Sequence, residues 1–184
     1  MKTTLAFDTE TTGFKTNYII QLAYLMFNDD TGKIISETNY KFNLPDGIDI
    51  DEGASKVHGV YKKDLAGEPL ISDSISDIIE LLNRCDKIVC HNASFDLRMI
   101  KGEAARANLL VDWDVINAKA VCTMNSTKKY VRALNKYGKL KVPKLAELHQ
   151  FLFNEDFENA HDAMGDVMAT YKCYMELKER KILL

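Results

Sequence analysis

The sequence predicts an α/β fold in which helices flank a mixed central sheet. Three observations favour this class. Three strand-like segments with turn residues between them fill residues 3–42, a short apolar strand (Lys87–Cys90) lies between two segments with helical spacing, and the rest of the chain is largely helical. With 184 residues, 46% of them hydrophobic, we expect one compact domain over residues 1–184.

The first quarter of the chain is typical of an antiparallel meander. Residues 3–9 (TTLAFDT) and 18–27 (YIIQLAYLMF) are rich in residue types that favour strands. The run NDDTG at 28–32 supplies turn residues, and residues 33–42 alternate well enough to predict a third strand. We therefore expect three consecutive strands joined by short connections.

Helical spacing dominates the remainder of the chain. Apolar residues recur at this spacing over residues 72–84, which predicts a helix with one buried face. Further helices are predicted after the short strand and in the C-terminal half, at residues 94–107, 144–153 and 161–181. All three prolines lie between predicted elements, where they interrupt no hydrogen-bond ladder.

Composition excludes several classes of protein. No apolar run approaches the ~20 residues that cross a bilayer, and Asp8 and Glu10 come too early for a secretory apolar region. We therefore expect a soluble, cytoplasmic protein with no membrane partner. The four cysteines have neither zinc-site pairing nor the density of a disulfide scaffold. A formal net charge of -3 disfavours a broad basic surface, so any nucleic-acid contact would be local or depend on bound cations.

Several carboxylates occupy positions where an isolated acid is unexpected. Asp8 and Glu10 are two residues apart at the end of the first predicted strand, so both point to the same face. A polar strand end that caps a turn is the alternative explanation. Asp96 falls in the first turn of a predicted helix, a common place for an acid, but it shares a helix face with Met99 and Ile100.

Asp166 is the clearest of these acids. It is in line with a row of small and apolar residues on the last predicted helix, namely Ala169, Thr170, Cys173 and Leu177. An isolated ionised carboxylate there would cost several kcal/mol, and the helix offers it no obvious basic partner. Two unit charges ~4 Å apart repel by ~4 kcal/mol at an effective dielectric of 20. Convergence on divalent cations explains the pattern, and ligands that are all oxygen favour Mg²⁺ or Mn²⁺ over zinc.

Three motifs resemble those of a known family. The segments FDTETTG (7–13), HNASFD (91–96) and HDAMGD (161–166) resemble, in order and spacing, the three motifs of the DEDDh (DnaQ-like) family of 3′-to-5′ exonucleases. They are most similar to those of bacterial DNA-polymerase proofreading exonucleases, and the resemblance extends over residues 3–180. It implies an RNase H-like fold with a mixed five-stranded central sheet flanked by helices.

The resemblance also implies functional roles for individual residues. The metal ligands, for two Mg²⁺ or Mn²⁺ ions, would be Asp8, Glu10, Asp96 and Asp166, and the general base would be His161. Contacts to the substrate would come from residues near the first two motifs and from one intervening histidine: Thr11, Thr12, Phe14, His58 and Asn92. Each of these five residues also has a structural explanation as a turn residue, core anchor, cap or loop donor.

The implied substrate is the 3′ end of a DNA strand. RNA trimming by an enzyme of the same superfamily and a catalytically silent nucleic-acid-binding subunit stay open as alternatives, as does a polymerase partner in trans. Residues 128–144 hold seven basic residues and no acidic one, with Tyr130 and Tyr137 interleaved. This stretch has the composition to follow phosphates and stack bases, and equally that of a solvated surface segment.

Overall fold

The computed structural model of the protein describes residues 2–13, 17–157 and 162–183. Its centre is one five-stranded sheet with the strands β1 (Thr3–Thr11), β2 (Ile19–Asn28), β3 (Ile34–Lys41), β4 (Lys87–Cys90) and β5 (Ala120–Cys122). The spatial order is β3-β2-β1-β4-β5. The pairs β1–β2 and β2–β3 are antiparallel, whereas β1–β4 and β4–β5 are parallel. The predicted mixed sheet is therefore confirmed.

Eight α-helices surround this sheet in the part of the chain that the structure describes. They are α1 (Glu52–His58), α2 (Ile75–Arg84), α3 (Ala93–Arg106), α4 (Trp113–Ala118), α5 (Thr123–Ser126), α6 (Lys128–Val131), α7 (Leu145–Phe153) and α8 (Ala163–Glu179). Two short 3₁₀ turns, Lys62–Leu65 and Ile71–Asp73, precede α2. None of the helices within these residues combines the length and the apolar character needed to cross a bilayer.

The predicted elements are present, and their described ends differ from the predicted ones by at most three residues. Sequence patterns missed the short elements α1, α4, α5, α6 and β5. The strand β5 has only three residues, all of them half-buried, so it has too few positions to display alternation. The helix α1 has seven residues, and its end is marked by Gly59 in the left-handed region with φ 73°.

Alternation along β1 determines which helix each of its side chains meets. Leu5 and Phe7 lie in the core formed with α2 and α3 on one face of the sheet. Ala6 lies in the core on the opposite face, where Val167 and Tyr174 of α8 pack. Because successive strand residues alternate, Asp8 and Glu10 continue the Ala6 row toward α8, and Thr9 turns toward α3. The end of β1 thus presents polar groups to both helical layers.

Candidate metal centre

Three predicted acids converge at the carboxyl end of β1, the central strand of the sheet. One carboxylate oxygen each from Asp8, Glu10 and Asp166 lies within 4.8 Å of the other two. The strand β1 supplies the first two, and α8 supplies Asp166 from its first turn. Asp166 is 156 positions beyond Glu10 in the sequence, and only the packing of α8 on β1 brings it to the two acids of the strand.

Asp96 approaches the same end of β1 from α3, on the opposite face of the sheet from α8. It lies in the first turn of α3 and is 2% exposed. Its Oδ1 accepts hydrogen bonds from the backbone N of Thr9 at 3.1 Å and from the Thr9 hydroxyl at 2.8 Å. Since Thr9 stands between Asp8 and Glu10 in the chain, these two bonds hold Asp96 beside the other acids. Thr9 was not predicted as a site residue. The only indication in the sequence was its place between two acids at the end of an alternating strand.

Burial and mutual repulsion make these carboxylates resist ionisation. Burial, and then the charges of Asp96, Glu10 and Asp166, raise the pKa of Asp8 well above its ordinary range. Burial and the neighbouring carboxylates raise the pKa of Glu10 to about 8. Burial raises the pKa of Asp96 to about 7, against the opposing effect of its hydrogen bonds from Thr9. The protein alone therefore does not neutralise this group of acids.

Asp29, a buried acid near the opposite end of β1, shows how the chain neutralises a carboxylate elsewhere. Asp29 is 4% exposed, yet Lys87 and Lys178 lie 3.2 and 2.9 Å from its Oδ2. Hydrogen bonds from Tyr174, Lys178 and their neighbours outweigh burial and hold the pKa of Asp29 far below its usual range. Within residues 2–13, 17–157 and 162–183, no lysine or arginine forms an ion pair with Asp8, Glu10 or Asp96. The described residues therefore supply no cationic side chain to these three acids, and a bound cation would supply the missing positive charge.

The donor set fits hard divalent cations. All the converging groups offer carboxylate oxygen, and the described part of the cluster contains no sulfur or imidazole ligand. Oxygen-only sites of this kind suit Mg²⁺ or Mn²⁺. The raised pKa values support the same interpretation, because a cation would replace the protons that the apo cluster otherwise retains.

A cleft of about 640 Å³ adjoins the acids. Glu10 and Thr11 line it from β1, Phe95 from α3, and Val57 with its neighbours from α1. Val57 is 56% exposed, so the cleft has an apolar wall opposite an acidic end. Gly13 closes the strand end with φ 105°, and a Cβ there would lie only 2.6 Å from Oδ2 of Asp51. A larger residue at this position would separate the end of β1 from α1.

His58 connects α1 to the end of β1. Its Nδ1 accepts a hydrogen bond from the backbone N of Val60 at 3.1 Å, which places its proton on Nε2. Nε2 lies 3.2 Å from the carbonyl oxygen of Thr11 and donates to it. Burial lowers the pKa of His58, so the neutral ring persists at physiological pH. Both ring nitrogens are therefore bonded to backbone atoms of the protein. His58 fixes the backbone of Thr11, and its ring also lines the cleft.

The other predicted contact residues have different surroundings. Thr11 lines the cleft, but Thr12 is 0% exposed, and its hydroxyl accepts from the backbone N of Tyr18 at 3.0 Å. This bond fixes the Thr12 side chain within the loop, and a contact of Thr12 with substrate stays a prediction. Asn92 begins α3 with φ 85° and ψ 48°, and its side chain accepts from the hydroxyl of Ser94 at 3.2 Å. Phe14 and His161 lie outside the described residues.

Gln21 is a functional candidate that the sequence analysis missed. It is 0% exposed, lies opposite Glu10 in the β1–β2 register, and donates from Nε2 to Oδ1 of Asp162 at 3.1 Å. Asp162 caps α8, because its Oδ2 accepts from the backbone N of Gly165 at 3.3 Å. The carbonyl of Asp162 also accepts from the backbone N of Asp166 at 2.9 Å. A glutamine inside the apolar run 18–27 was the available signal.

We expect Gln21→Leu to weaken the binding of Mn²⁺ to the carboxylates several-fold. The nearly isosteric change removes the bond that positions the start of α8, and it leaves a carboxylate oxygen of Asp162 without that donor. A Mn²⁺ titration followed by electron paramagnetic resonance measures the effect. Asn39→Ala is the matched control, because Asn39 accepts from the same amide at 3.0 Å without contacting Asp162. An unchanged Mn²⁺ affinity in Gln21→Leu would remove this residue from the site.

Comparison of the sequence with known families gives a match over nearly its whole length. The family model RNase_T, described as Exonuclease, matches residues 5–174. The chain is 27% identical over 178 residues to the DNA polymerase III subunit epsilon of Buchnera aphidicola, covering 95% of this chain and 72% of that protein. The corresponding subunit of Pasteurella multocida is 28% identical over 138 residues, which cover 71% of this chain and 51% of that protein.

Solved structures share the architecture. A crystal structure of Escherichia coli exonuclease I in complex with a dT13 oligonucleotide superposes with a TM-score of 0.83 at 19% identity. The superposition covers 98% of this chain and 42% of the exonuclease I chain. At this identity the likeness concerns the fold, and it confirms the RNase H-like arrangement expected from the motifs. This chain spans less than half the length of exonuclease I.

Proposed function

Since the chain belongs to the RNase_T exonuclease family, as its three motifs predicted, we propose that it removes nucleotides from the 3′ end of DNA. Single-stranded, frayed or mismatched ends are the proposed substrates, and nucleoside 5′-monophosphates are the products. The observation that supports this proposal most strongly is the group of carboxylates at the end of the cleft. Three of its oxygens lie within 4.8 Å of each other.

Asp8, Glu10, Asp96 and Asp166 are proposed to hold two divalent cations, Mg²⁺ or Mn²⁺. When bound, such a pair would lower the pKa of a water molecule and would neutralise negative charge that develops during phosphodiester cleavage. The chain's own contribution is placement, since Thr9 holds Asp96 and the capped start of α8 holds Asp166. A rigid arrangement of ligands costs no reorganisation during the reaction.

His161 is proposed to accept the proton of the attacking water. The proposal rests on its place in the third motif, five residues before Asp166. A neutral imidazole with an unperturbed pKa of ~6.5 accepts a proton readily near neutral pH.

The cleft is proposed to hold the 3′-terminal nucleotide. Its acidic end would take the phosphodiester through bound cations, and Phe95 and Val57 would contact the sugar or base. The backbone at Thr11 borders the same space, and its carbonyl is held by His58. Asn92, directly before α3, is proposed as a further contact of the nucleotide.

Hydrolysis of a 5′-labelled single strand with Mg²⁺, against an EDTA control, is the direct test of the proposed function. We expect a ladder of products shortened from the 3′ end with Mg²⁺ and intact strand with EDTA. The same assay on a mismatched duplex end and on RNA of equal length tests the substrate class. Faster turnover of RNA than of DNA would favour the RNA-trimming alternative, and no turnover of any strand would favour a silent binding subunit.

We expect His161→Ala to slow hydrolysis by roughly 100-fold or more, because general-base catalysis contributes about that much. Binding of Mn²⁺ should remain nearly unchanged, since His161 is not among the proposed ligands. Single-turnover rates and a Mn²⁺ titration followed by electron paramagnetic resonance measure the two quantities. His149→Ala removes another histidine and serves as the comparison. Full activity of the His161 variant would refute the assigned base.

A DNA polymerase is the proposed partner in trans. The support is the similarity to two proteins described as subunits of DNA polymerase III. Co-purification with a replicative polymerase from the same cells would test it.

A further inference from the structure

The basic segment after α6 folds into a hairpin, defined here as residues 132–141 and called the basic hairpin. The backbone N of Lys141 donates to the carbonyl of Ala133 at 2.9 Å, and the backbone N of Asn135 donates to that of Lys139 at 2.9 Å. At the tip, the Asn135 side chain accepts from the backbone N of Tyr137 at 2.9 Å and of Lys139 at 3.0 Å. These bonds give the hairpin a defined shape, unlike that of a solvated tail.

The surface of the basic hairpin combines positive charge with exposed apolar side chains. Arg132, Lys136 and Lys139 are exposed, and within the described ranges of the chain none of them pairs with an acid. Lys141 is the exception, since it pairs with Glu147. The large side chains of Tyr137, Leu134 and Leu140 are also open to solvent, at 73%, 57% and 44%. Cations beside an exposed aromatic ring match a ligand that alternates phosphates with planar bases.

The basic hairpin follows the carboxyl ends of the parallel strands, where the acids also lie. β1, β4 and β5 are parallel, so their carboxyl ends lie together, and the chain continues from β5 through the short helices α5 and α6 into the hairpin. His91, directly after β4, donates from Nε2 to the carbonyl of Pro143 at 3.1 Å. Its Nδ1 accepts from the hydroxyl of Thr123 at 2.9 Å. His91 thereby joins the ends of β4 and β5 to the segment that leaves the hairpin. It lies five residues before Asp96 in the sequence.

We propose that the basic hairpin binds single-stranded nucleic acid on the 5′ side of the nucleotide held in the cleft. This proposal rests on the proposed function. A chain with a net charge of -3 needs a local cationic surface to hold a polyanion, and the basic hairpin is placed to supply it. Single strands fit better than duplexes, because only unpaired bases expose the faces that would stack on Tyr137.

Salt-dependent binding tests the charged part of the proposal. Asp8→Asn protein, which is expected not to cleave, is titrated with a fluorescent oligothymidine of about 20 nucleotides over a range of NaCl concentrations. Each phosphate contact adds about 0.7 to the slope of log K against log salt for single strands. We therefore expect Arg132→Gln, Lys136→Gln and Lys139→Gln together to reduce the slope by up to about 2. The matched control is Lys2→Gln, Lys33→Gln and Lys101→Gln, three exposed lysines outside the basic hairpin.

An equal change of slope in both triple variants would overturn the proposal, because it would reflect net charge alone. An unchanged slope in the hairpin variant would overturn it as well and leave the surface to a protein partner. Melting temperatures of the variants confirm that each is folded.

Tyr137→Ala tests the stacking part. Loss of one stacked base weakens single-strand binding roughly fivefold or more, and we expect no such loss for a blunt duplex. Equal weakening for both ligands would contradict single-strand stacking. Hydrolysis of a trinucleotide by the chain with an intact hairpin separates this proposal from the proposed function. If the trinucleotide is cleaved and the hairpin variants lose no affinity for the long strand, the hairpin assignment alone fails.

Discussion

Asp8→Asn is expected to reduce hydrolysis by roughly a thousandfold or more, about 4 kcal/mol of transition-state stabilisation, and to stabilise the metal-free protein. The activity is lost because the amide is a poor ligand for a divalent cation. The stability rises because burial and the charges of four neighbouring acids raise the pKa of Asp8 well above its ordinary range. A neutral side chain of the same shape removes that cost. A gain of roughly 2 kcal/mol would raise Tm by about 4 to 8 °C in a chain of this size.

Asp30→Asn is the matched control for this experiment. Asp30 is exposed in the turn between β2 and β3, at the edge of the sheet remote from the candidate metal centre. It changes the net charge equally, so we expect wild-type hydrolysis and a Tm within about 1 °C of wild type. The two measurements are single-turnover hydrolysis with Mg²⁺ and thermal unfolding in EDTA. A metal-free Asp8→Asn protein that is less stable than wild type would contradict the repulsion argument.

The stability of the metal-free protein is expected to fall as the pH rises from 6.5 to 8.5. Glu10 has an ordinary pKa of 4.5 when unfolded and a pKa of about 8 in the folded protein. Between these values the folded state holds a proton that the unfolded state has lost, so stability decreases as the pH rises toward 8. Asp96, with a pKa raised to about 7, acts in the same direction. His91 does not disturb this window, because its pKa falls from 6.5 to about 4 and costs stability only below pH 6.5.

Added Mg²⁺ is expected to weaken this trend. The cation competes with protons for the same oxygens, so the stabilisation it provides should grow with pH. Thermal unfolding at several pH values, in EDTA and in saturating Mg²⁺, measures both effects. We expect a fall in Tm of roughly 5 to 10 °C across the window in EDTA and a much smaller one with Mg²⁺. A Tm that is independent of pH in EDTA would mean that the acids do not repel each other in the folded protein.

The sequence patterns that succeeded are local ones. The meander of β1, β2 and β3 followed from apolar runs separated by the turn at 28–32, and α8 followed from a long row of apolar residues. Elements with one or two turns, such as α1, left too few residues for a period to show. That helix forms one wall of the cleft, so the shape of the proposed nucleotide site was not visible in the pattern.

Residues that act by positioning another side chain or backbone segment could not be predicted from the sequence either. Gln21 was visible only as a polar residue in an apolar strand, and its contact with Asp162 joins positions 141 residues apart. Thr12 is another example, because its hydroxyl accepts from the backbone N of Tyr18, six residues further along the chain.

What the sequence by itself determined is the set of acids and the elements that carry them. Strand alternation puts Asp8 and Glu10 on one face, and helical spacing turns Asp96 and Asp166 toward the interior. Only the tertiary structure decided that these two faces meet, because α3 and α8 pack on opposite sides of β1 and both begin at its carboxyl end. Repulsion between like charges depends on distances through space, and no periodicity along the chain encodes those distances.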